Sequence, residues 1–244
     1  MTKIIAHRGY SGKFPENTML AFHEAAKHSI FGIEIDVHLT KDQEVVIIHD
    51  EAIDRTSNGK GFVKDLRLAD LRQFDYFGDF PETQETHKDL VQIPTLAEFL
   101  AWLKTTDLVV NIELKTNIFR YEGINQKVLD LIVEHDLFDR VIISSFNHHS
   151  VCDFKNLAQD LPIGYGFLTA CGMLEPGTYC KQYGMDYYHP VFISLEEEDI
   201  QNCHDQGIEI NTWTVNEVEQ MQGIISAGVD CIITNYVERA LELV

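Results

Sequence analysis

Two carboxylates stand at alternate positions of one apolar stretch, in the sequence Glu34-Ile35-Asp36. Side chains two apart on a β-strand project to the same side, so Glu34 and Asp36 converge. Glu113 and Lys115 repeat this alternation at the end of another apolar run. Three buried carboxylates would repel one another and lose hydration, which demands a cation. They predict a site for a hard divalent metal, Mg²⁺ or Ca²⁺, held by Glu34, Asp36 and Glu113. The alternative is that these acids pair with lysines or arginines inside a barrel.

Two histidines could carry proton transfers beside these acids. His7 and Arg8 end the first apolar run, where Gly9 lets the backbone turn closely past a ligand, and His49 ends a later run. A single histidine is more often a core or surface residue, so the inference depends on both ending strands. One could deprotonate a nucleophile and the other protonate a leaving alkoxide, each contributing about 10²–10⁴-fold. Arg8 and Lys115 could bind phosphate oxygens. The chemistry indicated is cleavage of a phosphodiester.

The elements that must position these residues alternate along the chain. Apolar, β-rich runs separated by helix-like stretches predict a parallel sheet. The predicted strands lie at residues 3–8, 32–40, 45–50, 108–114, 141–146, 163–168, 185–191, 208–214 and 230–235. The clearest predicted helices lie at residues 18–29, 67–74, 95–104, 124–136 and 217–228. Asn17 or Thr18 can cap the first helix, and the polar residues 78–94 read as a surface loop.

The second and third predicted strands are too close in sequence to be parallel neighbours. Only residues 41–44 separate them, whereas a parallel crossover needs about a dozen residues. They therefore form an antiparallel hairpin, which leaves eight strands for an α/β fold, a (β/α)8 TIM barrel with a β-hairpin extension after the second strand. If Asp42 and Gln43 are the central turn residues, Asp36 lies directly opposite His49; a different turn register stays open.

Composition sets further bounds. A length of 244 residues fits one catalytic barrel domain, residues 1–244, and a hydrophobic fraction of 45% supplies a core. A net charge of −20 disfavours nucleic acid. No signal peptide core or run of about 20 apolar residues is present, so we expect a cytoplasmic protein without stable membrane insertion. Five cysteines without a C-x-x-C pair indicate incidental thiols. A homo-oligomer stays open.

Motifs along nearly the whole chain resemble the glycerophosphodiester phosphodiesterase family in order and spacing. They are AHRGYSGKFPENTMLAF at 6–22, EIDVHLTKDQEVVIIHDEAIDRTSNGKG at 34–61, PTLAEFL at 94–100, ELK at 113–115, SSF at 144–146, WTVN at 213–216 and GVDCIITN at 228–235. The resemblance implies a barrel that hydrolyses small-molecule glycerophosphodiesters, such as deacylated phospholipids, to glycerol 3-phosphate and an alcohol. Such an enzyme would belong to lipid and glycerol metabolism.

The same resemblance assigns roles to residues of this chain. It implies metal ligands at Glu34, Asp36 and Glu113, an acid/base pair at His7 and His49, and phosphate binding by Arg8 and Lys115. Trp213 would form an apolar wall on the glycerol side. Glu16 would orient a catalytic side chain or approach the metal, although an acid at a helix start can equally interact with the helix dipole.

The sequence departs from the family pattern at three places. Gln43 stands where the hairpin usually has glycine, and 234-TNY replaces the usual Thr-Asp-x-Pro, which puts a polar contact of the last strand in doubt. The segment between residues 50 and 94 is short, which would leave the alcohol side open to several head groups.

Two reaction routes for cleavage of the diester, and two other functions, stay open. The glycerol hydroxyl next to the phosphate could attack phosphorus to give a cyclic phosphate that water opens, or water could attack directly. A lysophospholipase D-like lipid phosphodiesterase would need an apolar groove or a basic amphipathic stretch, and the latter is not found. A non-catalytic phosphoester-binding barrel would not need both histidines and all three acids.

Overall fold

Nine β-strands alternate with ten α-helices in the computed structural model, which describes the backbone of residues 1–244 and every side chain except those of Gln84 and Glu85. The strands are β1 (Lys3–His7), β2 (Gly32–Leu39), β3 (Val45–Ile47), β4 (Val109–Leu114), β5 (Val141–Ser145), β6 (Gly164–Thr169), β7 (Tyr187–Pro190), β8 (Glu209–Thr212) and β9 (Cys231–Thr234). The helices are α1 (Met19–Ala25), α2 (Leu68–Leu71), α3 (Thr83–Thr86), α4 (Leu96–Leu103), α5 (Ile124–His135), α6 (His148–Ala158), α7 (Pro176–Gln182), α8 (Glu197–Gln206), α9 (Val218–Ser226) and α10 (Val237–Leu241). All nine predicted strands are confirmed.

Eight of the strands close into a parallel barrel. The order runs β1-β9-β8-β7-β6-β5-β4-β2, and β1 also pairs with β2, which completes the ring. The remaining strand, β3, pairs antiparallel with the end of β2 and lies outside the ring. The predicted (β/α)8 barrel with a hairpin extension is therefore confirmed.

The hairpin register differs from the predicted one. Val37 pairs with Ile47, so the predicted pairing of Asp36 with His49 is wrong by one residue. The cause is a loop of three residues instead of two, whose last residue, Gln43, has a left-handed φ of 67°. Three-residue hairpin loops are commonly closed by a left-handed residue, the position at which glycine is least strained.

The predicted helices all exist, but their extents vary. Thr18 caps α1 by accepting a hydrogen bond from the Ala21 N–H, which decides between the two predicted caps. The prediction for residues 67–74 is too long, because α2 ends after a single turn. The predicted loop at residues 78–94 contains the short helix α3.

The main core lies between the barrel wall and the surrounding helices, where alternate strand residues pack on helical faces. A small second cluster, Ile5, Cys231 and Ile233, packs against Trp213. Buried polar side chains lie on the strands as well, at Asn111, Ser144, His189 and Asn211. No helix in the described part of the chain is long and apolar enough to cross a membrane.

Candidate active site

Three buried carboxylates meet where β2 and β4 pair, near the carboxyl end of β4. One oxygen atom from each of Glu34, Asp36 and Glu113 lies within 4.8 Å of the others. Asp36 and Glu113 are directly paired residues of adjacent parallel strands, and Glu34 precedes Asp36 by one pleat. All three are less than 9% exposed. The structure therefore brings together the three acids that strand alternation predicted.

The electrostatics of this cluster favour a cation. Burial raises the pKa of Glu34 well above its ordinary value, and the adjacent Asp36 carboxylate raises it further. Burial also raises the pKa of Glu113 to about 7, although the Lys115 ammonium opposes the rise. Burial acts in the same direction on Asp36, but Lys115 and Arg8 outweigh it, and the pKa of Asp36 lies below its ordinary value. Positive charge near Glu34 and Glu113 is insufficient, so a divalent cation fits this site.

The two cationic side chains of the site are themselves paired with acids. Arg8 contacts Glu16 through Nη1 at 2.9 Å and Asp36 through Nε at 3.2 Å. Lys115 Nζ lies 2.9 Å from Glu113 and 3.5 Å from Asp36. Asp36 is thus paired with Lys115 and Arg8, which is the arrangement that the sequence offered as the alternative to metal binding. Oδ1 of Asp36, the atom nearest to Lys115, accepts no hydrogen bond from the described residues, so its hydrogen-bonding capacity is not satisfied.

His7 lies at the end of β1 beside the carboxylates. Its Nε2 is 3.9 Å from Oε2 of Glu34, and its Nδ1 is 2.7 Å from Oδ1 of Asn235. Burial lowers the pKa of His7 to about 3, and the adjacent Arg8 guanidinium lowers it too. The imidazole is therefore neutral, with one ring nitrogen that carries no proton. The last-strand polar contact that the sequence left in doubt is made by Asn235.

His49 belongs to a chain of charged contacts outside the barrel ring. Its Nδ1 lies 2.6 Å from Oδ1 of Asp50. Arg55 donates to Asp50 through Nε at 2.7 Å, and its two terminal nitrogens donate to both oxygens of Glu16 at 2.8 Å. Glu16 also accepts from Arg8. Burial lowers the pKa of His49, and the Asp50 carboxylate opposes this effect.

A second histidine fixes the backbone at His49. Nε2 of His38 lies 3.0 Å from the His49 carbonyl oxygen, and its Nδ1 lies 2.8 Å from the Tyr121 hydroxyl. A carbonyl only accepts, so His38 carries its proton on Nε2. Burial lowers the pKa of His38 to about 4, which agrees with this neutral state.

Glu34, Glu113 and both histidines open into one pocket of about 150 Å³, and Asp36 lies beneath its lining, beside Arg8. Its lining consists of His7, Arg8, Glu34, His49, Asn111, Glu113, Phe146, Leu168, Trp213 and Ile233. Trp213 is anchored by its Nε1–H, which donates to the His189 carbonyl at 2.9 Å, and its ring packs edge-on against Phe146. The pocket therefore has a polar wall at β1, β2 and β4 and an apolar wall on the other side.

Sequence reasoning missed or misread several contacts. Asn17, considered only as a helix cap, donates from Nδ2 to Oδ2 of Asp36 at 2.9 Å. Phe146 was present in the SSF motif but received no role. Gly9 does have a positive φ of 79°, but a Cβ atom there would lie 2.8 Å from Ala21 of α1. The close approach seen at Gly9 is thus to helix α1.

The barrel and its carboxylate-lined pocket define a (β/α)8-barrel enzyme with a candidate metal site. The model of the glycerophosphoryl diester phosphodiesterase family matches residues 7–239. A glycerophosphodiester phosphodiesterase from Caldanaerobacter subterraneus subsp. tengcongensis is 42% identical over all of this chain and 98% of its own length. A protein of the same name from Bacillus altitudinis is 39% identical, with the same coverage.

Comparison with a solved structure also indicates a phosphodiesterase fold. A phosphodiesterase from Oleispira antarctica, in complex with the product sn-glycerol-3-phosphate, has a TM-score of 0.84 and 25% identity over all of this chain and 96% of that one. The chain belongs to the glycerophosphoryl diester phosphodiesterase family. It is an enzyme, a phosphoric diester hydrolase.

Proposed function

We propose that residues 1–244 act as one catalytic domain that hydrolyses glycerophosphodiesters to glycerol 3-phosphate and an alcohol. The observation that carries the proposal is a cluster of three acids, two of which line the same pocket as both histidines, in a member of this family. In this proposal Glu34, Asp36 and Glu113 hold a divalent cation, Mg²⁺ or Ca²⁺. When bound, the cation polarises the phosphoryl oxygens and lowers the pKa of a hydroxyl.

Arg8 and Lys115 provide the positive charge that an anionic substrate needs in a protein of net charge −20. Both pair with Asp36, and Arg8 also lines the pocket into which Glu34 and Glu113 open. A guanidinium can bind two phosphate oxygens, and an ammonium adds a point charge. In the proposed complex they bind and orient the diester.

The two histidines divide the proton transfers. His7 is neutral, and its Nε2 faces the carboxylate side of the pocket, so it deprotonates the glycerol hydroxyl next to the phosphate. That oxygen attacks phosphorus and forms a cyclic phosphate, while the bond to the alcohol breaks. His49, held at Nδ1 by Asp50, protonates the leaving alkoxide. Water then opens the cyclic phosphate, with the two proton transfers reversed.

The apolar wall would hold the glycerol carbons. Trp213, Phe146 and Leu168 line the side of the pocket away from the charged strands. The hydrogen bond from Trp213 to the His189 carbonyl fixes the indole, so this wall is preformed. Glu16 would orient Arg8, from which it accepts a hydrogen bond.

The test is release of glycerol 3-phosphate from glycerophosphocholine, with Mg²⁺ or Ca²⁺ and with EDTA. We expect product only when the metal is present. No metal-dependent product from a panel of choline, ethanolamine, glycerol and inositol diesters would overturn the proposal. Rapid-quench samples analysed for cyclic glycerophosphate separate the two routes, and its absence would favour direct attack by water.

A lysophospholipase D-like activity is a second candidate, favoured by one observation. Leu174 and Ile193 are 95% and 76% exposed in the loops that follow β6 and β7, on the same side of the barrel as the pocket. Such side chains could contact an acyl chain. Release of choline from lysophosphatidylcholine at a rate comparable with that from glycerophosphocholine would support this candidate.

A further inference from the structure

His7 has a side-chain partner at the other end of the chain. Asn235 directly follows β9, and its Oδ1 lies 2.7 Å from Nδ1 of His7. The two strands are neighbours in the ring, with Ala6 paired to Thr234. The contact therefore follows from closure of the barrel and places Asn235 directly behind the imidazole.

The Ser11 hydroxyl also lies near this contact, 2.6 Å from the His7 carbonyl oxygen and 3.1 Å from Asn235 Oδ1. Its single proton goes to the His7 carbonyl, the nearer acceptor. With Oδ1 of Asn235 facing the ring, Nδ1 of His7 meets an atom that only accepts, so His7 carries its proton on Nδ1. Its Nε2 is left as an acceptor that faces Glu34 and the pocket.

Asn235 is itself held firmly by its backbone. Its N–H donates to Oδ1 of Asn216 at 3.0 Å, and its carbonyl accepts from the Gly12 N–H at 2.9 Å. A Cβ atom at Gly12 would lie 2.6 Å from that carbonyl, so only glycine allows this approach. Arg239 fixes Asn216 in turn by donating to its carbonyl at 3.0 Å. The backbone of Asn235 is thus held at both its N–H and its carbonyl oxygen.

From these contacts we infer that Asn235 is a positioning residue for catalysis: it holds His7 as the Nδ1–H tautomer, with Nε2 directed at the substrate hydroxyl. The inference rests on the proposed function, in which His7 is the base. A base that carried its proton on Nε2 could not accept another there. Asn216, from the WTVN motif, supports Asn235 and therefore acts on His7 indirectly, through Asn235.

The alternative orientation of the amide makes the opposite prediction. If Nδ2 of Asn235 faced His7, it would donate to Nδ1, and the ring proton would move to Nε2. Asn235→Asp separates the two orientations, because a carboxylate has the same shape and only accepts. The Nδ1–H tautomer is kept in this variant if Oδ1 is the natural partner of His7.

The experiment combines ring ¹⁵N NMR of metal-free protein labelled at histidine with steady-state kinetics on glycerophosphocholine. Comparison of spectra with those of His7→Gln assigns the His7 signals. We expect the Nδ1–H tautomer in the natural protein and in N235D, and N235D keeps kcat within about threefold. We expect Asn235→Ala to lose the fixed tautomer and to reduce kcat by roughly 10–100-fold, the usual effect of removing a supporting partner, with little change in KM.

A matched control removes an amide bridge far from His7. Oδ1 of Asn202 accepts from the Gly177 N–H at 2.8 Å, between α7 and α8. Asn202→Ala should leave both the tautomer and kcat unchanged.

Three results would overturn the inference: an Nε2–H tautomer in the natural protein, full kcat in N235A, or a loss in N235D as large as in N235A. If N235A fails to fold, the natural protein and N235D still decide the question. If the natural protein hydrolyses no diester, the proposed function fails, while the tautomer still reports whether Asn235 orients His7.

Discussion

Asn17 donates its side-chain N–H to Oδ2 of Asp36 across 2.9 Å, and both residues are buried. Asn17 has a left-handed φ of 55°, and its own N–H donates to the Arg8 carbonyl, so the loop before α1 reaches the carboxylate cluster from outside β2. This contact orients one of the proposed metal ligands.

We expect Asn17→Gly to weaken Mg²⁺ or Ca²⁺ binding by roughly 10–100-fold, because supporting partners of metal ligands have effects of this size. Glycine keeps the left-handed backbone and removes only the side chain. Isothermal titration gives the affinity. Gln43→Gly, also at a left-handed position, is the matched control and should bind the metal normally. Unchanged affinity in N17G would mean that Asp36 needs no such support.

Arg55 is a second residue whose substitution should affect the active site indirectly, through its hydrogen-bonding partners. It ties Asp50, the partner of His49, to Glu16, the partner of Arg8. Replacing it with lysine keeps the charge but not the fork that bonds both carboxylates, so we expect kcat to fall roughly tenfold or more in Arg55→Lys.

A matched control exists for this variant. Arg72 pairs with Glu98 at the surface, at 2.6 Å, and does not line the pocket. Arg72→Lys should keep full activity. Equal kcat in R55K and R72K would show that the link between the two loops does not matter for turnover.

Gln43 carries a cost in stability that can be measured directly. A non-glycine residue in the left-handed region costs about 1–2 kcal/mol, partly offset because glycine also gains freedom in the unfolded chain. We therefore expect Gln43→Gly to raise the free energy of unfolding by about 0.5–1 kcal/mol in urea denaturation. Lys41→Gly, in the same loop without a positive φ, should lower it. A lower free energy of unfolding in Q43G would show that the backbone at Gln43 is not strained.

His189 should make the protein sensitive to acid. Burial lowers the pKa of His189 to about 3, whereas a histidine in an unfolded chain titrates near 6.5. Between these pH values the unfolded state binds a proton that the folded state does not, so stability is present above pH 6.5 and is lost as pH falls towards 3.

In His189→Asn, we expect the loss of unfolding free energy between pH 7 and 4 to be smaller by an amount on the order of a few kcal/mol. Urea titrations across this range give the slope. His7 and His38, whose pKa values burial also lowers, supply the slope that remains. His87→Asn changes an exposed histidine and serves as the control. The same acid slope in H189N and the natural protein would show that His189 is not the cause.

The fold could be predicted from the sequence because each strand is a short apolar run and the loop between β2 and β3 is too short for a crossover. Glu34, Asp36 and Glu113 could be placed together because alternation along a strand fixes the side to which a residue points. The helices α6, α7, α8 and α10 were not predicted. The apolar stripe of α8, for example, is reduced to Ile200 and Cys203.

What could not be predicted depends on backbone geometry and on contacts between distant loops. The hairpin register was wrong because glutamine rarely adopts the left-handed conformation that Gln43 has, although the glycine usual at this position of the family pattern was a signal for it. Arg55 meets Glu16 across 39 positions. Asn17 occupies a position typical of a helix cap, yet its side chain turns inward to Asp36. Such contacts follow from the folded arrangement of loops and have no local periodicity.

The partnership of His7 with Asn235 spans 228 positions and joins the first strand of the ring to the last. The three carboxylates of the cluster lie on β2 and β4, whereas the partner of His7 directly follows β9. The proposed base therefore lacks its partner until β9 has been synthesised and inserted into the ring. Turnover by the proposed mechanism therefore requires a complete ring. A folding intermediate that lacked β9 would be inactive even if it had brought the three acids together.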